Sequence, residues 1–266
     1  MNAIVTAGGK IEPGQPLYEI THGGQKALID IAGRPMVQWV LDALGKSSAL
    51  ERVFVIGLPL GTELTCAHPL VLLPDQGNML ANITAAAREV VHIDPQATHA
   101  LLASGDLPAL GVEMVDWLLG QVKDLDQDIY YTVVSRGTME TCFPASRRTY
   151  VPMKDIEVCG GDLHCFRLDA ANEENSLIKQ LIGARKSPLR QASMIGFSTL
   201  FWLVLRQLSL RDVETAVCQR LELRGRVLVS PYPEIGMDVD KPFQLDIIRE
   251  YFARGYEHNA AKTESI

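Results

Sequence analysis

The sequence has no cysteine pair at CxxC spacing, no stretch of clustered Lys and Arg, and no apolar run long enough to cross a bilayer. Each gap removes a class of protein. Five cysteines, Cys66, Cys142, Cys159, Cys165 and Cys218, are an odd number at spacings that fit no disulfide framework. Cys159, His164 and Cys165 are too irregularly spaced for a structural zinc site, strand alternation is expected to scatter the three across both faces, and the two thiols read as core cysteines. The start MNAIVTAGG has neither a basic n-region nor a small-residue cleavage site, so the chain reads as cytoplasmic with free thiols. The most apolar stretch, Met194 to Leu205, is interrupted by Gly196, Ser198 and Thr199 and followed by Arg206. It falls short of the roughly 18 apolar residues of a membrane span and reads as a buried helix, with no membrane partner. With 25 Lys and Arg against 32 Asp and Glu, the net charge of −7 and the lack of a basic stripe exclude an extended nucleic-acid partner, because such binding works by releasing counterions from phosphates.

Familiar chemical motifs are missing too. There is no GxGxxG opening a helix, and Gly9 and Gly14 are followed by Gln15 and Pro16 where a Walker loop needs Lys and then Ser or Thr. No serine stands in a GxSxG context, which argues against covalent catalysis.

What is there is an ordinary globular composition, 47% hydrophobic and 21% charged. At about 150 residues per domain, 266 residues suggest one or two domains; the reading is one domain over 1–255 and a polar tail over 256–266. Short apolar runs alternate with helical periods. Strands are expected at Asn2–Thr6, Val53–Ile56, Leu70–Leu73, His99–Ala103 and Ile129–Ser135, and helices from Pro35 through Leu44, over Met79–Val91 and over Val112–Val122. This alternation predicts an α/β fold, a Rossmann-like three-layer α/β/α arrangement on a mostly parallel sheet, with ligands beyond the carboxyl ends of the strands.

Three strand ends or helix starts carry candidate chemistry. In TAGG, Gly8 and Gly9 permit a tight turn whose amides point at an anion. Lys26, ahead of the apolar LIDI, is placed to reach back over that turn; the alternative is a solvated lysine. ALLASGDLPAL halts at Gly105 and Asp106, where a carboxylate is placed either to hold a divalent cation or to form a turn. GMDVDKPF supplies Asp238 and Asp240 before a helix with Pro242 in its first turn, where acids also stabilise the helix dipole.

Together IVTAGG, KALIDIAGRPMVQWVLDAL, SGDLPAL and DVDKPFQL resemble, in order along about 240 residues, the nucleotidyltransferase family of GT-A-like fold. That family includes molybdenum cofactor guanylyl- and cytidylyltransferases and sugar-1-phosphate nucleotidyltransferases. The resemblance implies that Ala7, Gly8, Gly9 and Lys10 wrap nucleotide phosphates with Gly105 nearby, that Lys26 contacts a phosphate, and that Asp106 and Asp240, with Asp238 as a close alternative, hold Mg2+. Lys26, Asp106 and Asp240 would form the catalytic set. PDQGNMLANITAAA resembles the base-reading loop, with Gln76, Gly77, Asn78 and Asn82 as candidates, although a plain capped helix start fits as well. RRTYVPMKDIEVCGGDLHCFR resembles the acceptor side, giving Arg147, Arg148, Gly160, Gly161 and Asp162, with solvated basic residues as the alternative.

The departure is the insertion KIEPGQPLYEITHGGQ, which stands where the family continues into a short Gly and Arg segment and leaves Lys10 or His22 to supply that charge. The segment Lys10 to Gln25 has little apolar periodicity, and is expected to form no element and to close over a triphosphate as a lid. The implied activity is Mg2+-dependent transfer of a nucleotidyl group from an NTP to a phosphorylated or otherwise anionic small acceptor, with pyrophosphate released. A glycosyltransferase using a nucleotide sugar and a noncatalytic nucleotide-binding module remain as alternatives, and the oligomeric state stays open, a homo-oligomer included.

Overall fold

The computed structural model describes residues 1–171 and 205–263. The expected buried helix over Met194–Leu205 lies outside the described residues except for Leu205, which is exposed. Strand β1 (Asn2–Thr6) is centred on the fully buried apolar run Ala3–Val5, as expected of a strand covered on both faces. It is the centre of the parallel part of the sheet, flanked by β4 (Arg52–Ile56) and β6 (His99–Ser104), with β5 (Leu70–Leu73) beyond β4. Helices α2 (Met36–Lys46), α3 (Met79–Ile93) and α4 (Val112–Gln121) fall where the periodicity places them.

The remaining described strands and α-helices are α1 (Tyr18–Thr21), β2 (Asp30–Ile31), β3 (Arg34–Pro35), β7 (Ile129–Ser135), α5 (Arg136–Cys142), β8 (Val151–Pro152), β9 (Glu157–Gly160), β10 (Leu163–Arg167), α6 (Leu210–Leu221), β11 (Gly225–Ser230) and α7 (Pro242–Thr263). The nine-stranded sheet runs β5-β4-β1-β6-β10-β7-β9-β8, with β11 on β7. Only β9 and β10 run against the others, so the sheet is mixed but mostly parallel. One core lies where Met36, Val37, Val40, Leu41 and Leu44 of α2 meet Met114, Val115 and Leu118 of α4 and Leu245 and Ile248 of α7. The second lies where Ile83, Ala86, Ala87 and Val90 of α3 cover Ile4, Phe54 and Ala100 of the sheet. These make the two outer layers of an α/β/α fold.

Cys159 and Cys165 are core cysteines, as expected, buried in the main core from two strands joined by the turn at Gly161 and Asp162. Burial pushes the Cys165 thiol up to about 12. One expectation needs correction: the inserted segment does form an element, the short helix α1. Leu17, only 1% exposed, anchors it in the main core, and Lys10 bridges Gln25 at its base. One buried leucine and a few turn hydrogen bonds suffice where periodicity is absent.

Those bonds give a testable expectation. The amides of His22 and Gly24 donate to Tyr18 O (2.7 Å) and Thr21 O (2.8 Å). Without nucleotide they should exchange at least about tenfold more slowly than unstructured amides; exchange at the unstructured rate would show the segment to be a free lid after all.

Candidate active site

The carboxyl ends of β1, β4 and β6 lie at one edge of the sheet because these strands are parallel and in matched register, Thr6 opposite both Ile56 and Ser104. Beyond β1 the chain turns through Gly8 and Gly9. A Cβ on Gly57 would come within 2.3 Å of Gly8 Cα, and one on Gly8 within 2.9 Å of Asn82 Nδ2. Both positions therefore need glycine for the loops to cross. The amides of Gly8, Gly9 and Lys10 have no acceptor among the described residues and are left for an anion.

Lys26 is brought to this turn by its own amide, which donates to Gly9 O at 3.2 Å. Its ammonium bonds both Asp106 Oδ2 and Asp240 Oδ1. Asp106 lies just past β6, and Ser104 Oγ donates to its Oδ1. Asp238 and Asp240 come from the segment entering α7, and Val239 N donates to Asp106 O at 3.1 Å, joining two segments far apart in sequence. Oxygens of Asp106, Asp238 and Asp240 lie within 4.8 Å of one another. On the buried side, Arg148 Nη1 bonds Asp238 Oδ1.

The electrostatics follow from this packing. Burial pushes Asp238 well above the usual carboxylate range, Asp162 adds to the effect, and Arg148 opposes it. Burial also raises Asp240, but the Lys26 ammonium outweighs it and holds the group below its ordinary value. Burial would lower Lys26, yet Asp106 and Asp240 raise it, so it stays charged. Three crowded carboxylates offer hard oxygen donors, the chemistry that Mg2+ prefers, and a desolvated acid such as Asp238 gains most from a cation, so these residues fit such an ion.

A cleft of about 760 Å³ gathers Ala7, Gly8, Gly9, Lys10, Lys26, Gly77, Asn78, Asn82, Asp106, Asp238 and Asp240 from the expected set. Gln76 and Gly105 do not line it; Gly105 N donates to Thr6 O, which holds the β6 turn against β1. Asn78 caps α3, its side chain accepting from Ala81 N at 3.0 Å. Asn82 is buried and held at both ends of its amide, accepting from Gln76 N (2.7 Å) and donating to Asp75 Oδ1 (2.9 Å). It shapes the loop, and the residue it presents is Asp75, which also accepts from Gly77 N at 3.1 Å and lines the cleft. Sequence reasoning passed over Asp75, although an acid just past the end of β5 is the same signal that singled out Asp106.

The acceptor-side residues lie elsewhere. Arg147, Arg148, Gly160, Gly161 and Asp162 do not line this cleft. Arg147 stacks over the Phe243 ring at 5.3 Å, while Arg148 and the buried Asp162 stand beside Asp238. A larger hollow of about 830 Å³, lined by Trp39, Phe143, Tyr251 and Phe252 among others, shares no residue with the cleft.

The fold and this cleft define an α/β protein with a polar cleft of backbone amides, a lysine and three acids at the carboxyl edge of its sheet. Residues 3–174, more than half of the chain, match the model of the MobA-like NTP transferase domain, and the chain belongs to that family. A solved structure described as a hypothetical transferase from Thermus thermophilus is 34% identical, covering 92% of this chain and 98% of its own, with a TM-score of 0.78. CMP:2-keto-3-deoxy-manno-octonic acid synthetase, solved with CTP, is 17% identical over 96% of this chain and 99% of its own (TM-score 0.56). 2-C-Methyl-D-erythritol 4-phosphate cytidylyltransferase, also from Thermus thermophilus, is 14% identical over 94% and 97% (TM-score 0.52), and these last two show the shared fold. No curated protein sequence matches the chain. The family is one of nucleotidyltransferases. Among the described residues no helix is long and apolar enough to cross a membrane.

Because Lys26 bonds two of the three acids, a divalent ion arriving alone must displace an ammonium. Lys26→Met should therefore bind Mn2+ in the absence of nucleotide about tenfold more tightly than the parent, since a charge-assisted contact of about 1.5 kcal/mol no longer competes. Equal Mn2+ affinity in calorimetry would show that ion and lysine do not share the acids.

Proposed function

We propose that the protein transfers a nucleotidyl group from an NTP to a phosphorylated or otherwise anionic small-molecule acceptor, releasing pyrophosphate and requiring Mg2+. The observation that carries this reading is the convergence, in one cleft, of the unpartnered Gly8, Gly9 and Lys10 amides, the Lys26 ammonium and the carboxylates of Asp106, Asp238 and Asp240. Amides and lysine suit phosphate oxygens, and the acids suit the cation that accompanies a triphosphate.

In this reading the Gly8–Lys10 amides orient the triphosphate, and Lys26 leaves the acids to hold a phosphate oxygen whose charge grows as the pyrophosphate departs. Asp75, held by Asn82 and Gly77, presents a carboxylate acceptor to a base bearing amino or imino hydrogens. Mg2+ held by Asp106, Asp238 and Asp240 would neutralise charge on the phosphate oxygens. An acceptor that brings its own ionised oxygen needs only to be placed in line with the α-phosphorus, so positioning rather than a protein nucleophile supplies the rate.

The test is pyrophosphate release from each of the four ribonucleoside triphosphates against a panel of phosphorylated acceptors. Release should be seen with one base, and Lys26→Ala should lower kcat/KM by roughly 1.5 to 3 kcal/mol, about 10- to 150-fold. NTP binding without release in any combination would favour a noncatalytic nucleotide-binding module, and unchanged turnover in the variant would remove Lys26 from the site.

A further inference from the structure

We propose that Arg148 is a positioning residue that acts through Asp238, and not a ligand of the acceptor. The inference rests on the reading of Asp106, Asp238 and Asp240 as the cation-binding acids. Arg148 stands behind the cleft: its side chain is 15% exposed, and it does not line the cavity that Asp238 does line. The side chain of Asp238 is only 6% exposed, and the carboxyls of Asp106, Asp162 and Asp240 are its charged neighbours of like sign. A buried carboxylate in such company needs a buried counter-charge. Lys26 meets the more exposed pair, Asp106 and Asp240, which leaves Arg148 for Asp238.

The guanidinium is also braced. Nη1 bonds Asp238 Oδ1, and Nη2 points to Gly160 O on β9 at 3.4 Å, with Asp162, the Cys159 thiol and the more distant Asp240 also acting on the group. A planar fork held by two elements fixes the direction of the carboxylate it binds, which a point-charge ammonium does not do. The local chain is shaped for this. Arg147 takes a left-handed conformation (φ 50°) and stacks on Phe243 of α7, Ser146 is buried, and the two consecutive arginines are thereby sent in different directions. By holding one oxygen of Asp238, Arg148 leaves the other to complete the acidic set.

Partners that orient a metal ligand typically change metal affinity by about 10- to 100-fold when lost. Mn2+ binding is measured by electron paramagnetic resonance with each ribonucleoside triphosphate in turn, for the parent, Arg148→Met, Arg148→Lys, Asp238→Asn and the Arg148→Met/Asp238→Asn double variant. Arg148→Met should weaken Mn2+ binding by about 10- to 100-fold, and Arg148→Lys, which keeps charge without the fork, should recover part of the loss. In the Asp238→Asn background the Arg148→Met change should add less than about twofold, and triphosphate binding measured in chelator should stay within about twofold of the parent. A general structural defect would move all of these together. Unaltered Mn2+ affinity in Arg148→Met, or a full loss on top of Asp238→Asn, overturns the proposal. If Arg148→Met does not fold, Arg148→Lys decides: parental Mn2+ affinity overturns the proposal, and a loss absent from the Asp238→Asn background supports it. A parent that binds no Mn2+ with any triphosphate overturns the nucleotidyl-transfer reading itself, and this proposal with it.

Discussion

The site depends on one constraint: carboxylates from chain segments more than a hundred residues apart are held together at the edge of a sheet, where they repel one another. The hydrogen bond from Val239 N to Asp106 O fastens the segments, and two basic side chains, Lys26 on the open side and Arg148 on the buried side, make the arrangement tolerable. Burial first, and then the neighbouring carboxylates, push Asp238 above the usual carboxylate range, so keeping it ionised there is costly. Strain of this kind persists where function requires it, because the same crowding makes a cation favourable.

The sheet supplies the frame. Parallel strands β1, β4 and β6 end in register, so the turns after them fall on the same edge. The contact between Gly8 and Gly57 is close enough to exclude a side chain on Gly57, and the turn it allows lines the same cleft as the acids. Lys26 connects the two halves, since its amide is bonded to the glycine turn and its ammonium to the acids. A side chain that spans phosphate-facing amides and cation-facing carboxylates is well placed to move between them when the nucleotide arrives.

Much of this is legible in the sequence because it is local. Gly8 and Gly9 after a buried strand, Asp106 after another, and Asp238 and Asp240 before a proline-led helix each carry their signal within a few residues. The insertion was harder to read: α1 is held by the single buried Leu17 and by turn bonds, neither of which produces a period. Asn82 reads as a group for contacting a base, and nothing local shows that its amide also accepts from Gln76 N and donates to Asp75 inside the fold. Arg148 reads from the sequence as an acceptor ligand or a solvated cation, because nothing in RRTYVPMKD announces that the backbone turns at Arg147 and directs the next side chain inward. Partnerships across the fold, Arg148 with Asp238 and Lys26 with Asp240, depend on tertiary placement that periodicity does not encode.

The central claim is that the acids at the sheet edge and the neighbouring glycine turn form a single site for a divalent ion and a triphosphate. Anomalous scattering from crystals grown with Mn2+ and a non-hydrolysable nucleoside triphosphate tests it most directly. The account predicts a manganese peak coordinated by Asp106 together with Asp238 or Asp240, at about 2.1 to 2.2 Å, phosphates on the Gly8–Lys10 amides, and Lys26 turned from the acids to a phosphate oxygen. Manganese bound elsewhere, or Lys26 still joining Asp106 to Asp240 with the nucleotide in place, would contradict it.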